Sequence, residues 1–78
     1  MKTSEDFSQN AGIIDVVDEN TIYYCYPELG VTSEAEAKWS ICRAKKTGTA
    51  WHYQWANGKL EKTFKASERT ALNYSYVK

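Results

Sequence analysis

Lys38-Trp39-Ser40-Ile41-Cys42-Arg43-Ala44-Lys45-Lys46-Thr47-Gly48-Thr49-Ala50-Trp51-His52-Tyr53-Gln54-Trp55-Ala56-Asn57-Gly58 is the stretch that decides the fold. Its first part alternates: Trp39, Ile41 and Arg43 take one side, Ser40, Cys42 and Ala44 the other. A period of two is the mark of a strand. Lys45-Lys46-Thr47-Gly48 then reads as a hairpin turn, and Thr49 to Ala56 runs back. On the return, Trp51, Tyr53 and Trp55 share one face while His52 and Gln54 face the other way. Asn57-Gly58 is the strongest short hairpin signal in the chain, because a type I′ turn needs positive φ at both central positions.

Outward from this hairpin the chain keeps the same style. Residues 1–12 read as a flexible polar arm with one aromatic, Phe7, closed by Asn10-Ala11-Gly12. Ile13-Ile14-Asp15-Val16-Val17 is a β-branched run and a first strand, followed by the turn residues Asp18-Glu19-Asn20. Thr21 to Tyr26 is the next strand, ended by Pro27, which has no N–H to donate. Ser33 to Lys38 is a helical turn or loop, too short for an independent helix. Lys59 to Lys65 alternates weakly, Ser67-Glu68-Arg69-Thr70 suggests one helical turn capped by Ser67, and Ala71 to Val77 is a closing strand. The expected fold is all-β: a small antiparallel barrel or sandwich of five to six short strands, spanning residues 13–78 as one domain behind the arm.

Seventy-eight residues allow one domain, with only roughly 60% of the unfolded surface buried. Chains of this size often lean on disulfides, a metal or a partner subunit. The polar, acidic start has no apolar segment behind it, so an intracellular site of synthesis with reduced thiols is expected. Cys25 and Cys42 then act as small buried hydrophobes. No CxxC pair occurs and His52 is the single histidine, so no metal site and no cofactor are expected. No apolar run approaches the ~20 residues of a membrane span. Partner subunits remain as support.

The net charge is zero but unevenly spread. Residues 1–37 hold eight acids against Lys2, a balance of −7; residues 38–78 hold nine bases against Glu61 and Glu68, a balance of +7. The halves either pair within the domain or leave an acidic and a basic face suited to side-by-side assembly.

Catalytic constellations are weak. His52 has no nucleophile paired with it in a known thiol-enzyme pattern. Asp15, Asp18 and Glu19, and likewise Glu34 and Glu36, read as solvated turn charges, and the Asp15–Asn20 stretch lacks a full calcium-loop pattern. Gly48 and Gly58 are isolated, so no phosphate loop exists. The expectation is a protein that is not an enzyme. Nucleic-acid binding is the functional rival, since Trp51, Tyr53 and Trp55 lie near Lys45, Lys46, Lys59 and Lys62. So short a chain needs its largest side chains inside, however, and Trp39, Ile41, Trp51, Trp55 and Leu72 are assigned to the core. The six tyrosines exceed what a small core needs and suit a contact surface.

The motif order adds a resemblance. Tyr23-Tyr24-Cys25-Tyr26-Pro27 leads to Ala37-Lys38-Trp39-Ser40-Ile41-Cys42-Arg43, then Trp55-Ala56-Asn57-Gly58, then Arg69-Thr70-Ala71-Leu72-Asn73-Tyr74. Over roughly residues 21–76 this resembles a group of short tailed-bacteriophage proteins with the order Tyr-Tyr-x-Gly-Tyr-Ala, Ala-x-x-x-Trp-x-Ile-x-Arg, Trp-Ala-x-Gly and Arg-Ala-x-Leu-x-Tyr. Cys25 and Pro27 depart from that pattern, where the group often has glycine and alanine. The resemblance implies a β-rich virion protein without catalysis, made in the host bacterial cytoplasm. The implied role is an accessory structural one: a capsid decoration subunit or a head–tail or fibre connector. Its partners would be other virion proteins and copies of itself. Tyr24, Tyr26, Arg43, Arg69 and Tyr74 carry over from the matched motifs as a shared cluster, and with Tyr23 and Tyr76 they form the expected interface. The alternatives are a single-stranded nucleic-acid-binding module and a small inhibitor of a host protein.

Overall fold

The computed structural model describes residues 11–77. Among these the chain is all-β, with five antiparallel strands in one sheet in the order of the sequence. They are β1 (Ile13–Asp18), β2 (Thr21–Pro27), β3 (Trp39–Thr47), β4 (Ala50–Ala56) and β5 (Tyr74–Ser75). The sheet is an open meander with β1 and β5 at its edges, so it does not close into a barrel. The expected arm falls largely on residues outside those described; Gly12, at its end, precedes β1 and donates its N–H to the Cys25 carbonyl of β2 at 2.8 Å.

The central hairpin forms two residues later than its sequence suggests. Thr47 pairs with Ala50, leaving Gly48-Thr49 as the two-residue loop. Gly48 has φ +65°, the conformation that the first position of a type II′ turn demands. At Asn57-Gly58 both φ values are positive, 52° and 68°, and Lys59 N–H closes the turn on the Ala56 carbonyl at 3.0 Å. That turn does not lead into a hairpin partner. Lys59 to Lys65 leaves the sheet and returns to it where Lys62 Nζ donates to the Pro27 carbonyl at 3.1 Å and where Phe64 bridges Trp39 through hydrogen bonds of 3.0 Å in both directions. The closing strand is two residues long, not seven. Ser67 lies within the 3₁₀ turn Ala66–Glu68 and caps nothing. Ser33 to Lys38 forms no helix. Glu36 folds back to accept the N–H groups of Thr32 and Ser33 at 3.1 and 3.2 Å, and the Ser33 hydroxyl accepts that of Ala35.

The two faces of the sheet have different fates. On the covered face, Tyr23, Cys25, Trp39, Ile41 and Ala56 pack under Ala66, with Ile13, Val31, Phe64, Leu72 and Tyr74 around them. The 28–38 loop and the 57–73 crossing supply the lid. The crossing is fastened by Arg69, whose Nε meets Asp15 at 2.9 Å and whose Nη1 meets Glu34 at 3.0 Å and the Ala66 carbonyl at 2.8 Å. Part of the opposite charge of the two halves is therefore spent inside the domain.

Two of the tryptophans assigned to the core are not in it. Trp51 is exposed and Trp55 half-buried, both on the opposite face. The reason is register: Trp55 pairs with Cys42, and so lies across the sheet from Ile41. Trp39 and Ile41 do hold the core, and Leu72 packs at its edge half-buried.

Candidate interaction surface

Among the described residues, the buried cluster of the second face is built by β2, β3 and β4. Tyr24, Cys42 and Ala44 are buried there, with Ile22, Tyr26, Tyr53 and Trp55 packed against them, and no segment outside these strands joins the cluster among the described residues. At the centre of this face Cys42 and Ala44 are 0% and 1% exposed. The sequence of the strands contributes to that burial. β3 presents the short side chains Ser40, Cys42 and Ala44 on this side, flanked by the long ones of β2 and β4. The flanking rings lean over β3: Tyr26 and Trp55, two strands apart, have centroids 5.7 Å apart. These side chains pack against the buried Tyr24, Cys42 and Ala44.

Outside the layer the face continues as apolar surface. Ile14 and Val16 on β1 pair with Tyr24 and Ile22, and are 49% and 63% exposed; Trp51 on β4 is 37% exposed. Lys46, paired with Trp51, is the single charged residue at the strand positions of this face, since Asp15 points to the covered side and Arg43 does too. A broad, aromatic, charge-poor patch has the composition of an interface centre.

The expected interface residues divide between the faces. Tyr24 and Tyr26 belong to the open one. Tyr23 is a correction: it is 8% exposed within the covered core and offers no contact surface. Tyr74 is half-buried beside it, with ring centroids 5.6 Å apart. Arg43, Arg69 and Tyr74 do meet, as scaffold. The Arg43 guanidinium lies 5.0 Å from the Tyr74 ring centre and donates to Gln54 at 2.8 Å, while the Tyr74 hydroxyl donates to the Arg69 carbonyl at 2.6 Å. Tyr76 is exposed at the far end of the covered face, 2.6 Å from His52 Nδ1. Sequence reasoning missed Ile14, Val16, Ile22 and Tyr53; the signal was the small–large–small alternation of β3 against its neighbours.

The thiols and the imidazole lie apart from one another. Burial pushes the Cys25 thiol up to about 11 and that of Cys42 up to about 12. They lie on opposite faces, so they cannot bridge. Cys25 is registered with Ile41 and His52 with Lys45, four residues further along β3, or ~13 Å at strand rise. Among the described residues no group of three or more His, Cys, Asp or Glu side chains converges, and no helix is long and apolar enough to cross a membrane. No protein-family model matches the chain, and neither a curated protein nor a solved structure matches it at a significant level.

Proposed function

We propose that this chain is a non-catalytic accessory structural protein of a tailed-phage particle, acting by docking on protein neighbours as a capsid decoration subunit or a head–tail or fibre connector. The observation that carries the docking part is the exposed apolar surface of Ile14, Val16 and Trp51, which flanks the aromatic layer on a side of the sheet almost without charge at its strand positions. Burying such a surface against another apolar one is worth roughly 25 cal/mol per Å² before association costs. The particle itself rests on the motif order from Tyr23 to Tyr74. High thiol pKa values and the separation of His52 from both cysteines fit a role without covalent chemistry.

A second reading has one observation in its favour. Trp51, exposed and paired across the strands with Lys46, puts one aromatic ring beside a cation, the pairing that stacks single-stranded bases. One lysine on the face makes a small phosphate footprint, so the protein-docking reading stands first. Mass spectrometry of purified virions tests it: the chain should be present in the particle, and its absence would remove the structural role. In the same preparation, oligonucleotide at low salt should leave tryptophan fluorescence unchanged. Quenching that salt reverses would move the function to strand binding.

A further inference from the structure

The outer edge of β1 is a row of backbone groups that no described strand pairs. Which groups these are follows from the ladder. An antiparallel strand bonds its two neighbours through alternate residues. Lys46 N–H donates to the Asn20 carbonyl at 2.8 Å and Glu28 N–H to the Lys38 carbonyl at 2.9 Å, at the two ends of the β2–β3 ladder. The even-numbered residues of β2 therefore bond β3, and Tyr23 and Cys25 bond β1. The Cys25 carbonyl does face that way, since it accepts the Gly12 N–H. Tyr23 and Cys25 are registered with Asp15 and Ile13. Ile14 and Val16 then turn their N–H and C=O groups away from the sheet.

The side chains along this edge define what can add to it. Ile14 and Val16 are 49% and 63% exposed on one side of the sheet. On the other side Asp15 stands between them, with Oδ2 on Arg69 Nε at 2.9 Å. Arg69 also serves Glu34, so two carboxylates share one guanidinium and a negative charge remains. Asp18 and Glu19 follow, and β1 holds no lysine or arginine. Lysine and proline are common guards against strand addition, and this edge has neither. The register shift between Val16 and Asp18 ends regular pairing and keeps the site short. A second copy of β1 fits badly. The antiparallel register that uses the same groups sets Ile14 against Val16 but Asp15 against Asp15, and like charges directly opposite destabilise a pair. Sliding by one step sets Val16 against Gly12, whose N–H is already bonded to Cys25, or Ile14 against Asp18 beyond the shift.

We propose that the outer edge of β1 accepts an extended strand of a partner protein, antiparallel, with apolar residues opposite Ile14 and Val16 and a lysine or arginine between them opposite Asp15. Main-chain bonds to Ile14 and Val16 hold the strand, and its alternating side chains select it. The two apolar residues fall on the side of Ile14 and Val16. The base falls on that of Asp15, at the ~5 Å spacing of a directly opposed pair. Asp15 thus rejects a second copy and accepts a basic strand. This rests on the docking reading above and names the chemistry of the partner.

Nuclear magnetic resonance titration of the full chain with capped peptides tests the site. The probe is Thr-Val-Lys-Val-Thr, with Thr-Val-Glu-Val-Thr and a form of the probe N-methylated at both valines as controls. The lysine peptide should shift the Ile14 and Val16 amides saturably. The glutamate peptide should bind at least ~10-fold more weakly. The N-methylated peptide lacks the donors and blocks the approach of a strand, so it should not bind. Ile14→Pro removes an outward N–H and leaves the β1–β2 ladder bonds in place. Its circular dichroism should match that of the wild type, and its peptide binding should be lost. The peptide controls decide the outcome even if that variant unfolds. Absence of saturable shifts overturns the proposal. So do shifts centred away from β1, or equal affinity for the lysine and glutamate peptides. The virion test fails separately: a chain present in particles that ignores the peptide keeps the docking role and loses this site, and a chain that binds the peptide but is absent from particles does the reverse.

Discussion

Cys25 and Cys42 each occupy a fully buried position, one per face, and both are 0% exposed. Desolvation of the thiolate is the main cause of their raised pKa values, about 11 and about 12, from an ordinary 9.0. A raised acid pKa means the native state holds its proton longer than the unfolded state. The stability from the neutral thiols is complete below pH 9.0 and is lost as pH rises toward 11–12. Chemical denaturation between pH 8 and 11 should show falling stability, with a shallower fall in Cys42→Ala. Tyr24, Tyr26 and Tyr74, also raised chiefly by burial, add to the same slope. An equal slope in Cys42→Ala would show that the thiol is already ionised or hydrated in the native state. The burial of both cysteines was legible from their apolar neighbours. Which face each would occupy was not, because alternation fixes only parity within a strand.

At the scale of elements, parity was more informative than size. A hairpin loop of two or of four residues keeps Trp51, Tyr53 and Trp55 on the side of Cys42 and Ala44 in either case, and away from Trp39 and Ile41. The three tryptophans could therefore never share one core layer. Reading them all as core came from the need of a short chain for large apolar side chains, and that need is met differently: the rings cover their own face. The strand expected at Lys59–Lys65 failed for another reason. Asn57-Gly58 does form its tight turn, but after it the chain has the covered face to close, and Phe64 and Ala66 gain more there than a weakly alternating edge strand would. The turn still matters. Gly58 is buried at φ +68°, so Gly58→Ala should cost about 1–2 kcal/mol. Denaturant titration would show this as a lower midpoint with unchanged slope, and no loss would mean that the 57–58 backbone relaxes without consequence.

For the whole molecule, the strands β2 and β3 are the permanent centre and the edges depend on a fastener. β1 has a partner on one side only, and β5 is two residues long. What ties both margins together is Arg69, 54 residues from Asp15 in sequence, which joins the 66–69 turn to β1 and to Glu34 in the long loop. No local pattern announces such a contact; from sequence, Arg69 was visible only through its place in the final motif, and its acidic partners read as solvated turn charges. Its ion pairs are partly exposed, 21% for Arg69 and 31% and 52% for its acids, so screening discounts them, the Glu34 pair most. Arg69→Met keeps the packing of the stem and removes the bonds, and the expected loss is about 1 kcal/mol. The distribution of that loss is the sharper expectation. In hydrogen exchange, amides of β1 and of residues 66–71 should exchange roughly fivefold faster in the variant, by local opening, while those of Ile41 and Cys42 should follow only the small global change. A uniform acceleration across all five strands would instead mean that the sheet opens as one unit, with no separable margin for Arg69 to hold.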